Sequence, residues 1–318
     1  MTVQRFARRR RPVAGFVLVA TAAAVVAGCS TAAPAATTGS SGGSGKTITV
    51  VAAENFWGSI AKQLGGSHVN LTSIISNPDT DPHDYEVTPA DARTIASAQF
   101  MIINGIGYDP WATKLVAANP VGNRTVLTIG DLVGIKEGGN PHRWYSPTNV
   151  HQVIEQITSD YKKIDPADAG YFDQQKQNFE TQGLAQYNQL IADIKSKYAG
   201  TPIGASESIV SLLADGLGLT MLTPASFLTA ISEGSEPTAA DKATIDNQIK
   251  HKLIKVYVFN SQNATPDVQA QVDAAKAAGI PVTTVTETLD PATATFQQWQ
   301  VKQLQGIEAV LARATGKA

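Results

Sequence analysis

His83, His142, Glu207 and Glu287 are the side chains of this 318-residue sequence best suited to coordination chemistry. Two neutral imidazoles and two carboxylates balance one divalent cation, and that mix of nitrogen and oxygen donors suits zinc, manganese or iron. They stand 59, 65 and 80 residues apart, so there is no local ligand motif and only the fold can bring them together. His83 lies among acids in "SNPDTDPHDYEVTPAD", and His142 in the glycine–proline loop "GGNPHRWYSP" just ahead of a helix. Each also has a plainer reading. His83, beside Asp81 and Asp84, fits a solvated acidic turn, and His142 fits a helix-entry residue bonded to backbone. Glu207 and Glu287 fit acids at helix starts or turns, where the positive end of a helix dipole favours them. His68, His151 and His251 read as structural or surface residues, and Trp57, Trp111, Trp144 and Trp299 as core or lobe-packing residues.

Elements able to gather such residues are visible on either side. "KTITVVAAENFWGSIAKQLGG" reads as a strand followed by an amphipathic helix closed by glycines, and strand and helix then alternate up to "SPTNVHQVIEQITSDYKKI". Ser146 is placed to cap that last helix, with Pro147 at its first position. This alternation predicts a parallel sheet covered on both faces. About 30 residues without a strand follow, with Phe172, Phe179, Tyr187, Leu190, Ile191 and Ile194 at helical spacing. A helix of that length reaches roughly 45 Å and suits a stiff strut between two lobes. Gly183 within it costs about 1 kcal/mol against alanine. From "TPIGAS" the alternation resumes as a second βα lobe. The expected fold is therefore α/β: two βα lobes, each with a mostly parallel sheet, joined by one long backbone helix. Residues 46–166 form the first lobe, 167–199 the connecting helix and 200–318 the second lobe. Ligands of open α/β sheets bind beyond the carboxyl ends of the strands. "NLTSIIS" runs out into the loop of His83, and "TPIGAS" and "IPVTTVT" end at Glu207 and Glu287, so each lobe supplies a pair.

The amino-terminal region has a different character. Five arginines and no acids precede Cys29, and without them 20 basic side chains face 27 acidic ones, a balance of −7. Such a body is a poor binder of phosphate backbones, so nucleic acid is not an expected partner. The basic head and the apolar run Val13–Gly28 suit a signal peptide (1–28) better than a spanning helix, which needs about 20 residues. The run ends in "VAGC", which resembles the bacterial lipoprotein signal, with Cys29 as the lipidated first residue of the mature chain; an ordinary secretory peptide is the alternative. Cys29 is the only cysteine, so it has no intrachain disulfide partner. Residues 29–45, rich in Ser, Thr, Ala and Gly, read as a flexible tether. The expected location is outside the cytoplasmic membrane, anchored to it by lipid.

"DPHDYEVTPAD", "INGIGYDPW", "NPHRWYSP", "ESIVSLLADGLGL", "VYVFNSQ", "IPVTTVTETL" and "QQWQVKQL" occur in that order over residues 46–312. Together they resemble the substrate-binding lipoproteins of zinc and manganese ABC transporters. The resemblance implies two lobes joined by a long helix, metal ligands at His83, His142, Glu207 and Glu287, and delivery of the ion to a membrane permease by a monomeric receptor. Two departures matter. The third position is histidine in many zinc-type members and glutamate in manganese-type ones; the fourth is commonly aspartate, where Glu287 is one carbon longer. Asp290 is the fallback fourth ligand. The His-rich acidic loop of some zinc-type members is missing, since residues 112–141 contain no histidine. Oxygen ligands favour manganese, yet the set still holds zinc tightly by the Irving–Williams order, and iron is also possible. Asp81, Asp84 and Asp109 are candidates for outer support of the ligands.

Capture rather than catalysis is the expected role. No phosphate-binding loop and no HExxH-type helix occurs, and both carboxylates are already assigned as ligands. A secreted metallohydrolase and a surface adhesin or chaperone with a vestigial metal site are the competing readings.

Overall fold

The computed structural model describes residues 47–78, 80 and 85–317. The signal and tether segments with Cys29, and His83 with Asp81 and Asp84, lie outside the described residues.

β1 (Ile48–Glu54) is the inner strand of the first sheet and is buried along most of its length. That is why it reads as an unbroken apolar run rather than an alternating one. β2 (Val69–Ile75) and β3 (Phe100–Ile103) flank it, and β4 (Thr125–Thr128) follows β3, giving the order β2-β1-β3-β4 with every pair parallel. The register pairs Glu54 with Ile75, so β1 and β2 end together. The crossovers are α1 (Asn55–Gly65), α2 (Pro89–Ser97) and α3 (Pro110–Ala118). The short α4 (Ile129–Val133) and the long α5 (Pro147–Ile164) close the lobe. Ser146 does cap α5: its hydroxyl accepts from the Asn149 N–H, with Pro147 at the first helical position.

The strut is helical but not uniform. α6 (Ala169–Asn178) passes through one wide π turn (Phe179–Gly183) into α7 (Ala185–Tyr198). Leu184 N–H bonds the carbonyl of Phe179, five residues back, at 2.8 Å. A Cβ on Gly183 would lie 2.9 Å from Phe179 Cδ2, so the glycine that looked like a weak point gives the ring its place.

The second lobe repeats the topology of the first. β5 (Pro202–Ala205), β6 (Thr220–Met221), β7 (Val256–Asn260) and β8 (Val282–Val285) form a parallel sheet of order β6-β5-β7-β8. Its helices are α8 (Ile209–Leu217), α9 (Ala225–Ser232), α10 (Ala239–Lys250), α11 (Pro266–Ala277) and α12 (Phe296–Thr315). β6 and α9 are additions to the sequence reading. A two-residue edge strand is too short to show a period, and α9 is a compact eight-residue helix.

One continuous apolar core runs through both lobes and the strut. Phe56 stacks on Trp144 with ring centroids 3.9 Å apart, Tyr145 meets Trp299 edge-on, and Tyr187 on α7 meets Phe296 on α12. Hydrogen bonds cross between the lobes as well. Phe296 N–H donates to Ser59 Oγ, Leu289 N–H to Asn55 Oδ1, and Gln262 Nε2 to the Pro78 carbonyl. The shared core and these hydrogen bonds tie the two lobes together. Trp57, Trp144 and Trp299 are all fully buried in this core, and Trp111 packs in a smaller cluster beneath α2 and α3.

Candidate metal centre

The carboxyl ends of the two sheets face one another, and His142, Glu207 and Glu287 meet between them. Each can offer one ligand atom such that all three lie within 4.8 Å of one another. They are 0%, 0% and 6% exposed, so none of the three is a solvated surface group, although His142 does stand at the entry of the 3₁₀ turn Arg143–Tyr145 and Glu207 just ahead of α8. Glu207 follows β5 and precedes α8, and Glu287 follows β8. Asp290, three residues further on, is exposed and not part of the cluster.

Hydrogen bonds fix the direction of each ligand atom. Asn140 Oδ1 lies 3.0 Å from the backbone N–H of His142 and 2.8 Å from its Nδ1, while Asn140 Nδ2 donates to the Ser208 carbonyl at 2.7 Å. Turning the amide over would lose all three contacts, so the oxygen is an acceptor and His142 carries its proton on Nδ1. Nε2 then presents a lone pair to Glu287 Oε1, 3.2 Å away. Glu207 is held by two amides: Asn260 Nδ2 donates to Oε1 at 3.2 Å and Asn263 Nδ2 to Oε2 at 2.9 Å. Asn260 Nδ2 also lies 3.4 Å from Glu287 Oε1, and the Tyr108 hydroxyl donates to Glu287 Oε2 at 2.6 Å.

The electrostatics are those of acids forced together out of water. Burial pushes the Glu207 carboxyl up to about 8, the neighbouring Glu287 charge adds to the rise, and His142 opposes it. Burial pushes the His142 imidazole down to about 4 against the pull of Glu207, so at neutral pH the ring is uncharged. Its contact with Glu287 is therefore not an ion pair. An imidazole nitrogen and buried carboxyl oxygens converge there, and burial with the Glu287 charge keeps a proton on Glu207 at neutral pH when no cation is bound.

A second buried pair stands behind. Glu54, at the end of β1, is fully buried, with no N–H or O–H donor at either carboxyl oxygen among the described residues. Burial, with Asp109 opposite, pushes it well above the ordinary range, so it is the protonated partner. Asp109, raised by burial to about 6, accepts the N–H groups of Asn104 and Gly105 at 2.7 Å each. Asp109 thus shapes the loop that presents Tyr108. Tyr108, Asn140, Asn260, Asn263 and Glu54 were not picked out from the sequence. The available signal was position: Asn260 ends β7, Asn263 is three residues on, and Asn140 is two before His142.

Comparison with known proteins agrees with this architecture. The chain is 25% identical over 242 residues to the manganese ABC transporter substrate-binding lipoprotein PsaA of Streptococcus anginosus, covering 70% of this chain and 75% of that protein. It is 30% identical over 186 residues to the iron-binding protein YfeA of Yersinia pestis, covering 55% and 58%. The fold matches the Mn-bound periplasmic metal-binding protein of candidatus liberibacter asiaticus with a TM-score of 0.70 at 20% identity, over 83% of this chain and 99% of that one. The family model for the zinc-uptake complex component A, periplasmic, matches residues 50–310, and the chain belongs to that family.

Proposed function

We propose that the protein is an extracytoplasmic receptor that captures one divalent transition-metal ion, zinc or manganese with iron also accommodated, and delivers it to an ABC permease. The observation that carries this reading is the buried meeting point of His142, Glu207 and Glu287, one imidazole nitrogen and two carboxyl groups whose ligand atoms lie within 4.8 Å of one another. The ion replaces the trapped proton. It takes Nε2 and the two carboxylates as ligands, with His83, outside the described residues, proposed as the fourth. Asn140, Asn260, Asn263 and Tyr108 hold these ligands in place, as outer hydrogen bonds commonly do at metal sites. In this reading Glu207 and Glu287 both serve as ligands rather than as a general base, which favours capture over catalysis.

The names of the relatives, which include manganese and iron binders, support the same cargo class. Cys29 is proposed as the lipid attachment point and residues 29–45 as the tether, with the folded body acting as a monomer. Because the lobes share one core, release proceeds through small tilts and movement of the ligand loops rather than a wide opening. Calorimetric titration with Mn²⁺ and Zn²⁺ tests the reading: one tight ion per chain is expected, lost in Glu207→Gln with the fold intact. Unchanged affinity in that variant would refute it.

A further inference from the structure

The amino ends of the first sheet lie away from the metal centre. His68 immediately precedes β2 there, in the 3₁₀ turn Gly66–His68, while the centre lies beyond the other end of that seven-residue strand, about 20 Å along. We propose that His68, Asp165 and Asp168 form a second, peripheral site for a divalent cation of the zinc type, pinning the start of the strut to the first lobe. Asp165 follows the last residue of α5 and Asp168 lies in the turn that opens α6, so the three residues bridge two segments nearly 100 positions apart in sequence.

The three side chains can each offer a ligand atom within 4.8 Å of the others, and His68 Nδ1 already stands 2.8 Å from Asp168 Oδ2. The imidazole does not swing freely. It stacks on Tyr171 with centroids 4.0 Å apart and meets the edge of Phe172. The Tyr171 hydroxyl in turn accepts the Ser67 N–H, fixing the turn that carries the ring. A separate observation points to a missing partner: Asp165 is half-buried, but its Oδ2 is shielded from solvent and has no hydrogen-bond donor among the described residues. Among the described residues no lysine or arginine pairs with Asp165 or Asp168. Lys162 pairs with Asp173 and Lys163 with Asp160, and Lys62 is turned to the carbonyls of Gly66 and Val69. Two carboxylates therefore face a single imidazole. A cation would fill that deficit and give the orphaned oxygen a partner. One imidazole and two carboxylates on a half-buried face leave positions for water, and such a set ranks zinc above manganese.

The test uses the mature protein loaded with one equivalent of Zn²⁺ and then titrated with more Zn²⁺ in excess Mg²⁺, which occupies loose surface acids. A second equivalent should bind at least tenfold more weakly than the first and raise the melting temperature. Asp165→Asn with Asp168→Asn should abolish it while leaving the first ion in place; Glu207→Gln should retain it. Should the double variant not fold, His68→Gln carries the same comparison. Saturation at one ion, or a second ion that survives the double variant or His68→Gln, would mean an adventitious ion only and overturn the proposal. The site does not depend on the inter-lobe reading, since the two sets of variants separate the ions.

Discussion

Metal capture at a site already holding a proton must be steeply pH-dependent, and the size of the effect follows from Glu207. With its carboxyl near 8, about nine-tenths of the metal-free protein carries that proton at pH 7, and binding must expel it. His142, near 4, is already neutral and adds little further proton release above pH 5. Affinity should therefore rise about ninefold from pH 6 to 7, about fivefold from 7 to 8, and less than about twofold from 8 to 9, each full tenfold step being about 1.4 kcal/mol. Titration calorimetry at pH 7 in buffers of different ionisation enthalpy should show close to one proton released per ion. Glu207→Asp, which keeps a carboxylate, should retain some pH dependence even if affinity falls. A pH-independent affinity between 6 and 8, or no proton release, would refute the picture of a trapped proton.

Other consequences are more local. Asn140→Ala frees the His142 ring to adopt the other tautomer and should cost on the order of 10- to 100-fold in metal affinity by calorimetry, with an unchanged melting profile in the presence of chelator. Tyr108→Phe removes the hydroxyl on Glu287 Oε2 and should weaken binding within the same range, read by competition with a metal-sensitive dye. For metal-free stability the signs are opposite for two groups. Glu207 holds its proton more tightly folded than unfolded, so its contribution falls as pH rises from about 4.5 to about 8. His142 holds its proton less tightly folded, so its contribution rises from about 4 to about 6.5. The net is a loss of up to about 2 kcal/mol between pH 6.5 and 8, measurable by denaturant melts and removed by Glu207→Gln. Trp144→Ala should cost about 3–5 kcal/mol, and both lobes should still unfold in one calorimetric transition because they share one core.

Glu207 and Glu287 stood out in the sequence because polar residues just after apolar strands do, and strand ends are where an α/β sheet offers its ligand positions, whereas His142 stood out only as a histidine in a glycine–proline loop ahead of a helix. The strut was legible through Phe172, Phe179, Tyr187, Leu190 and Ile194, whose helical spacing continues through the π turn. Gly183 misled in part. Its helix penalty is real, but the close approach of Phe179 that requires it depends on tertiary packing. Asn140, Asn260, Asn263 and Tyr108 were not legible because neutral amides and phenols occur throughout a sequence; only the ligands they touch mark them out. Glu54 was not singled out, and its buried pairing with Asp109 joins residues 55 positions apart that no local pattern links. β6 is two residues long, and only its neighbour β5 defines it.

The central claim is that an ion sits where the His142 lone pair, Glu207 and Glu287 converge. Anomalous scattering from crystals of the protein loaded with one equivalent of Mn²⁺ or Zn²⁺ tests it directly. The account predicts a single strong peak within about 2.0–2.3 Å of His142 Nε2 and of oxygens of Glu207 and Glu287. A principal peak elsewhere, with those three side chains bonded only to one another, would contradict it.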